Sequence, residues 1–324
     1  MLDRLSVSVR VQLEQVEHHL REEFISSVPE ATEVTRYVIG GGGKRLRPAI
    51  FLLAAGAAQA KNDGLPQLAT AIEMIHTASL MHDDVIDEAM MRRGLPPARA
   101  RWGDKASILA GDLLCCRASQ ILLRHGDWRV LGEVFRAVAA TTEGQILELH
   151  HMRDSSTSKE TYLEIIRHKT AALFSLAARM GSIVAGAPKP AEAALSDYGA
   201  DVGIAFQLVD DVLDFVSDTV QLGKACGSDL QEGKLTYPLI AALELASAAE
   251  GELIRKALTK RGDTFPSPFQ EVKDILIRSG AIDATLELAR QTATRAKGHL
   301  SALIPGEDHQ GLAAVADYVV GRAG

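Results

Sequence analysis

The stretch AIEMIHTASLMHDDVID, Ala71 to Asp87, runs an apolar segment into three aspartates. It reads as the later part of a long helix, expected over 65–92. In a helix Asp83, Asp84 and Asp87 stand at i, i+1 and i+4, within about a third of a turn of one another. The C-terminal half of a helix carries the negative end of the macrodipole. Each carboxylate there costs about 0.3–1 kcal/mol, and their mutual repulsion adds to that. Such a placement calls for a cation. Oxygen-only ligands suit Mg²⁺, which takes one or two carboxylates, keeps several waters and accepts phosphate oxygens.

The pattern returns in FQLVDDVLDFVSD, Phe206 to Asp218, where Asp210, Asp211 and Asp214 repeat the spacing late in a second helix. One such cluster reads most simply as a solvated acidic helix end; two make that reading improbable. Two such helices face to face would form a carboxylate-lined mouth for Mg²⁺ and a diphosphate. Counter-charges are present. GGGGKRLRP, Gly40 to Pro48, is a glycine-rich loop entering a helix, with Lys44, Arg45 and Arg47 on it. Glycine lets backbone N–H groups approach an anion, and a helix N-terminus favours negative charge. It is not a P-loop, because no Ser or Thr follows the lysine. Arg92 and Arg93 follow the first triad, and GKACGSDLQEGKLTYP adds Lys224 and Lys234 after the second.

The rest of the chain is read around these motifs. Of 324 residues, 47% are hydrophobic but only 5% aromatic, a balance that favours helix over sheet. Helical patterns cover roughly 2–26, 29–39, 47–60, 104–125, 128–152, 158–186, 189–217, 236–262, 267–279, 281–304 and 309–322, about each boundary ~2–4 residues of play. TSKE, Thr157 to Glu160, reads as a capping box. Residues 1–324 are therefore expected to form one all-α domain, a large helical bundle around a central active-site cavity. A formal charge of −7 argues against a nucleic-acid surface. No apolar run approaches the ~18–20 residues of a membrane span, so an integral membrane protein is not expected. Three cysteines without a CxxC pair fit a reducing cytoplasm, with neither disulfide framework nor zinc site. His150 and His151 lack metal-ligand spacing and read as surface or packed histidines.

Taken in order, GGGKRLRP, EMIHTASLMHDDVID, RRG, EGQ, HKTAALF, FQLVDDVLD and GKxxGxDLxEGKxTxPL resemble the trans-isoprenyl diphosphate synthases, or polyprenyl synthetases, over roughly residues 30–240. The resemblance implies an isoprenoid-synthase bundle and a Mg²⁺-dependent prenyltransferase. The enzyme would join an allylic diphosphate, such as farnesyl diphosphate, to isopentenyl diphosphate. It further implies that Asp83, Asp84, Asp87 and Asp210, with Asp214 through water, hold Mg²⁺, and Asp211 is grouped with them. Arg92, Lys169 and Lys224 would contact the allylic diphosphate, with Lys234 beside them. Lys44, Arg47, His76 and Arg93 would grip isopentenyl diphosphate, and Thr170 and Gln207 would line the reaction centre.

In that family, bulk four and five residues before the first aspartate stops chain growth early. Here those residues are Ser79 and Ala78, both small, which predicts a long-chain product such as a quinone side chain. Phe135 is the candidate floor of the tunnel. A short-chain farnesyl or geranylgeranyl synthase is the nearest rival, and a terpene cyclase or a non-catalytic partner subunit are further ones. A homodimer is implied as well.

Overall fold

The computed structural model describes residues 5–23, 25–60, 64–217, 226–259 and 267–323. Lys224 lies outside them. The described residues form α-helices joined by short turns: α1 (Val7–Glu22), α2 (Pro29–Gly40), α3 (Leu46–Ala57), α4 (Leu65–Ile86), α5 (Ala98–Trp102), α6 (Asp104–His125), α7 (Trp128–His150) and α8 (Lys159–Ile166). A π-helical turn, Arg167–Ala171, leads into α9 (Ala172–Val184) and α10 (Lys189–Val216). Then follow α11 (Ser228–Glu232), α12 (Tyr237–Leu245), α13 (Ala248–Thr259), α14 (Ser267–Arg278), α15 (Ala281–His299) and α16 (Glu307–Val320).

Three departures from the periodicity bear on the site. Helix α4 stops at Ile86 rather than continuing to 92. Its end is turned by positive φ at Glu88 (49°) and Arg93 (52°), with Arg92 and Leu95 exchanging backbone hydrogen bonds of 2.7 and 3.0 Å. Residues 158–186 do not form one α-helix, since the π turn interrupts them. Their N-cap is Ser158, whose Oγ accepts from the Thr161 N–H, while Thr157 donates to the Asp154 carbonyl. The stretch 236–262 breaks at Ala246 and Ser247, where Glu250 caps the next helix by accepting from the Ser247 N–H.

The apolar residues gather into two clusters, and α10 supplies both. Leu195, Tyr198, Val202 and Ala205 pack with α3, α4 and α9, whereas Ile204, Leu208, Val209 and Phe215 pack with α12 and α14. Fully buried large side chains such as Phe51, Phe174 and Phe215 contribute about 1.5–3 kcal/mol each. Two glycines set how closely the site-bearing elements approach. A Cβ at Gly203 would meet Ala171 Cα at 2.5 Å, and one at Gly144 would meet the Lys169 N at 2.4 Å. The π turn is thus in backbone contact with α7 on one side and α10 on the other. Single π turns inside α-helices recur at functional sites.

Helix α6 is long and apolar enough by composition to cross a membrane, contrary to the expectation that no run approaches that length. It lies along α4, with Asp112 within it and Ile108, Leu109 and Leu123 left exposed.

Candidate active site

The aspartate triads do not act as two sets of three. In the first, Asp84 is buried and turned to Arg92, whose Nε and Nη2 lie 2.7 and 2.6 Å from Oδ1. Asp83 and Asp87 are only half-buried. Burial raises the Asp83 pKa; Lys169 opposes this, and Asp87 and Glu148 add to it. In the second triad Asp211 is almost wholly buried. It accepts from the Tyr162 hydroxyl and from Gln207 Nε2 at 2.8 Å. Asp214 is fully buried and accepts from Ser228 Oγ (2.9 Å) and the Asp229 N–H (3.1 Å). It therefore fastens the start of α11 to the end of α10. Protein partners thus meet Asp84, Asp211 and Asp214, and cations meet Asp87 (Lys234, 3.2 Å) and Asp210 (Arg322, 2.7 Å) as well. Asp83, Asp87 and Asp210 are less buried than the other three.

Lys234 joins the two ends. The Asp229 that binds Asp214 opens α11, and Lys234, just past it, reaches Asp87 at 3.2 Å and Glu232 at 2.6 Å. Burial would lower the Lys234 pKa, yet Glu148, Glu232 and Asp87 together hold it well above the ordinary lysine value. Lys234 thus binds carboxylates here rather than standing open to an anion. Between the triads, Thr170 Oγ1 donates to Gln207 Oε1 at 2.8 Å. A cavity of about 100 Å³ opens there, lined by Lys169, Thr170, Gln207, Tyr162, His151 and Thr236 among others. His151 is therefore a cleft residue, paired with Asp154 at 3.3 Å.

The second compartment is cationic. Arg47 is buried, with its guanidinium 4.3 Å over the Phe174 ring and its Nε without a hydrogen-bond partner. Burial brings its pKa down to about 10, although Glu73 pulls the other way. His76 is held well below the usual histidine range by burial and by Arg47, Arg93, Arg92 and Arg45 around it. Arg93 donates to the Gly42 carbonyl, and its guanidinium crowds the Cα side of Gly43. Lys44 is lowered by burial and by Arg322, against Asp210. Arg45, on the same loop, faces elsewhere: it pairs with Glu73 at 2.8 Å and with Glu17. Its left-handed φ of 47° caps α3 and lets consecutive basic residues diverge. An orphaned buried N–H among several neighbouring cations is a costly arrangement.

Among the described residues no three His, Cys, Asp or Glu converge closely enough to ligate one ion by themselves. That set does not suit Zn²⁺, which takes three or four protein ligands. It suits a hard ion held by one or two carboxylates with water and substrate phosphate.

The model of the polyprenyl synthetase family matches residues 28–275. An octaprenyl diphosphate synthase of Haemophilus influenzae is 37% identical, covering 99% of this chain and 97% of its own. The chain belongs to the polyprenyl synthetase family. A short-chain isoprenyl diphosphate synthase of Methanothermobacter thermautotrophicus is 35% identical, covering 97% of each chain. Among solved structures, a polyprenyl synthase from Caulobacter crescentus, complexed with calcium and isoprenyl diphosphate, superposes with a TM-score of 0.94. It is 38% identical and covers 100% of this chain and 98% of that one. The protein is an enzyme, a transferase of the prenyltransferase type on the isoprenoid-synthase fold.

As a polyprenyl synthetase, the chain brings Lys169, Thr170, Gln207, Asp211 and Lys234 to one cavity, with Asp83 close enough to Lys169 to feel its charge, and gathers Arg47, His76 and Arg93 into a separate cationic group. Arg92 is bound to Asp84 and sits between them. Ala78 is fully buried, and Ser79 donates to the His76 carbonyl at 2.8 Å. Phe135 is 56% exposed on the outside of α7, so it does not floor a tunnel within this chain. Sequence reading missed Tyr162, Glu148 and Arg322. No motif signals Tyr162 or Arg322, which reach the cleft by packing alone. Glu148, three residues past the EGQ segment, was legible as a same-face neighbour of Gln145.

Proposed function

We propose that this polyprenyl synthetase condenses an allylic diphosphate with successive isopentenyl diphosphates, head to tail and trans, to give a long-chain polyprenyl diphosphate. The observation that carries the reading is the presence of two differently built groups, the carboxylates Asp83, Asp87 and Asp210 and a cluster of cations in which Arg47 Nε is buried without a partner. Two diphosphates need two differently built grips. Asp83, Asp87 and Asp210 would hold Mg²⁺ with the allylic diphosphate, whose departure the ions would favour by neutralising its charge. Lys169 and Arg92 would steady the same diphosphate with Lys234, which lines the cavity, and Lys224 joins them by the family motif alone. Lys44, Arg47, Arg93 and neutral His76 would orient isopentenyl diphosphate. Thr170 Oγ1 and Gln207 would turn oxygen dipoles toward the developing allylic cation. The helix walls would keep water from it, and the proton lost on forming the new double bond would leave on the released diphosphate.

Product length rests on Ala78 and Ser79, small residues where bulk would stop chain growth early. The similarity to an octaprenyl diphosphate synthase supports a long chain, and the comparable similarity to a short-chain enzyme keeps farnesyl or geranylgeranyl diphosphate as the second reading. A terpene cyclase would have no use for the Arg47 pocket. A non-catalytic partner subunit would have no use for the half-exposed Asp83, Asp87 and Asp210.

Two further parts of the reading concern assembly. Residues 1–324 work as one domain, supported by α10 lining both cores. The enzyme's place is the cytoplasm, supported by three cysteines without a CxxC pair, and it is a homodimer, supported by apolar stripes that its own fold leaves open. On α6 these are Leu109 and Leu123; on α7 they are Trp128, Phe135 and Ile146, spaced seven and eleven residues apart on one face.

The test is direct. The purified chain is incubated with Mg²⁺, labelled isopentenyl diphosphate and farnesyl diphosphate, and the dephosphorylated products are sized. A ladder ending beyond geranylgeraniol is the expected result. A stop at geranylgeraniol or below would transfer the chain to the short-chain reading, and no incorporation with any allylic primer would refute the activity.

A further inference from the structure

One carboxylate in the cleft belongs to neither aspartate triad. Glu148 projects from α7, and its Oε2 accepts a hydrogen bond from Lys169 Nζ. The same oxygen lies 3.7 Å from Lys234 Nζ and 3.4 Å from Gln145 Nε2. Lys234 also touches Glu232 and Asp87. Three carboxylates therefore share two ammonium groups. The Glu148 and Lys169 side chains are only 17% and 19% exposed, so water screens the pair weakly.

The pair is set by backbone rather than by loose rotamers. Gly144, one turn before Glu148 on α7, lies against the backbone of the π turn at Lys169, with no room for a Cβ. Lys169 is held on the other side by the packing of Ala171 on Gly203. Asp83 feels both partners, since Lys169 eases its ionisation and Glu148 opposes it. The Lys169 ammonium thus bonds Glu148 while its charge reaches the first triad.

We propose that Glu148 is a positioning residue that competes with the substrate diphosphate for Lys169. It holds the lysine back until a diphosphate displaces it and takes it back when pyrophosphate has to leave. The inference rests on the proposed prenyl-transfer reading. Its physical basis is balance. A chain-elongating site must release pyrophosphate after every condensation, and ground-state affinity beyond what positioning requires slows that release without speeding chemistry. A charge-assisted hydrogen bond to Glu148 matches in kind the one that a phosphate oxygen would offer, so exchange costs little in either direction. With Glu148 neutral, Lys169 would have no competing anion on that side.

Binding of Mg²⁺-pyrophosphate to the full-length protein, measured calorimetrically for wild type and Glu148→Gln, tests this. The neutral variant is expected to bind pyrophosphate on the order of tenfold more tightly, the scale of one charge-assisted contact, with an unchanged Mg²⁺ requirement. In turnover with farnesyl and isopentenyl diphosphates, the KM for the allylic substrate should fall and kcat should fall with it. Glu148→Asp keeps the charge but withdraws it by one methylene, so it should show the same tightening in smaller measure and stands in if the glutamine variant does not fold. Unchanged or weaker pyrophosphate binding would overturn the proposal, as would a shifted Mg²⁺ requirement alone, which would make Glu148 a metal ligand. Pyrophosphate binding needs no turnover. A wild type that binds pyrophosphate but incorporates no isopentenyl diphosphate therefore fails the prenyl-transfer reading and leaves the Glu148 comparison decisive.

Discussion

Arg322 Nη2 lies 2.7 Å from Asp210 Oδ1, so the last turn of the chain is fastened to the second aspartate triad. The guanidinium stacks 4.4 Å over the Phe206 ring, and its Nε and Nη1 are buried without partners. Lys44 is close enough for the two cations to repel. The C-terminus therefore adds a cation to the border between the carboxylates and the cationic group. Arg322→Gln should raise the KM for isopentenyl diphosphate by about tenfold, the scale of a lost charge-assisted hydrogen bond. Steady-state kinetics would check it. An unchanged KM would reduce Arg322 to a packing role.

The triads make a sharper prediction than their symmetry suggests. Asp83→Asn and Asp210→Asn should each lower kcat by about a hundredfold to a thousandfold, as loss of an electrostatic anchor does, with little change in Tm. Asp211→Asn should instead lower Tm, because it disturbs a buried network with Tyr162 and Gln207, at an unaltered Mg²⁺ requirement. Melting curves and Mg²⁺ titrations of the three variants separate the two roles. Equal Mg²⁺ defects in all three would contradict the division.

His76 supplies a pH dependence whose sign is set by its depressed pKa. In the unfolded chain it takes up a proton near pH 6.5, while in the folded protein it stays neutral to lower pH. The unfolded state therefore binds more protons below about 6.5, and stability present above that value is lost as the pH falls toward the folded pKa. Wild-type Tm should drop more steeply than that of His76→Gln between about pH 6.5 and 5.5. Parallel curves would show that the imidazole is not held neutral.

Ala78 is fully buried one turn and a residue before Asp83. Ala78→Phe should place a ring below the first triad and shorten the product, read as an earlier end to the ladder of dephosphorylated alcohols. Because small-to-large changes in packed cores cost about 1–3 kcal/mol, Tm is measured alongside. A folded variant with unaltered product length would remove Ala78 from chain-length control.

The amino-acid sequence determined the helical class, most helix positions, both aspartate triads and the glycine-rich basic loop. These depend on local spacing, composition and turn chemistry, which a chain carries wherever it folds. Tertiary structure alone decided which partner each member of a motif meets. Asp84 and Asp83 are neighbours with the same local propensity, yet the turn after α4 brings Arg92 onto only one of them. Arg45 and Arg47 sit two residues apart, but a left-handed φ sends one to Glu17 and Glu73 and leaves the other unpaired. Tyr162, Glu148 and Arg322 reach the site through contacts across 49, 21 and 112 residues of chain. No local pattern encodes such distances, because they follow from how the π turn, α7, α10 and the C-terminus pack.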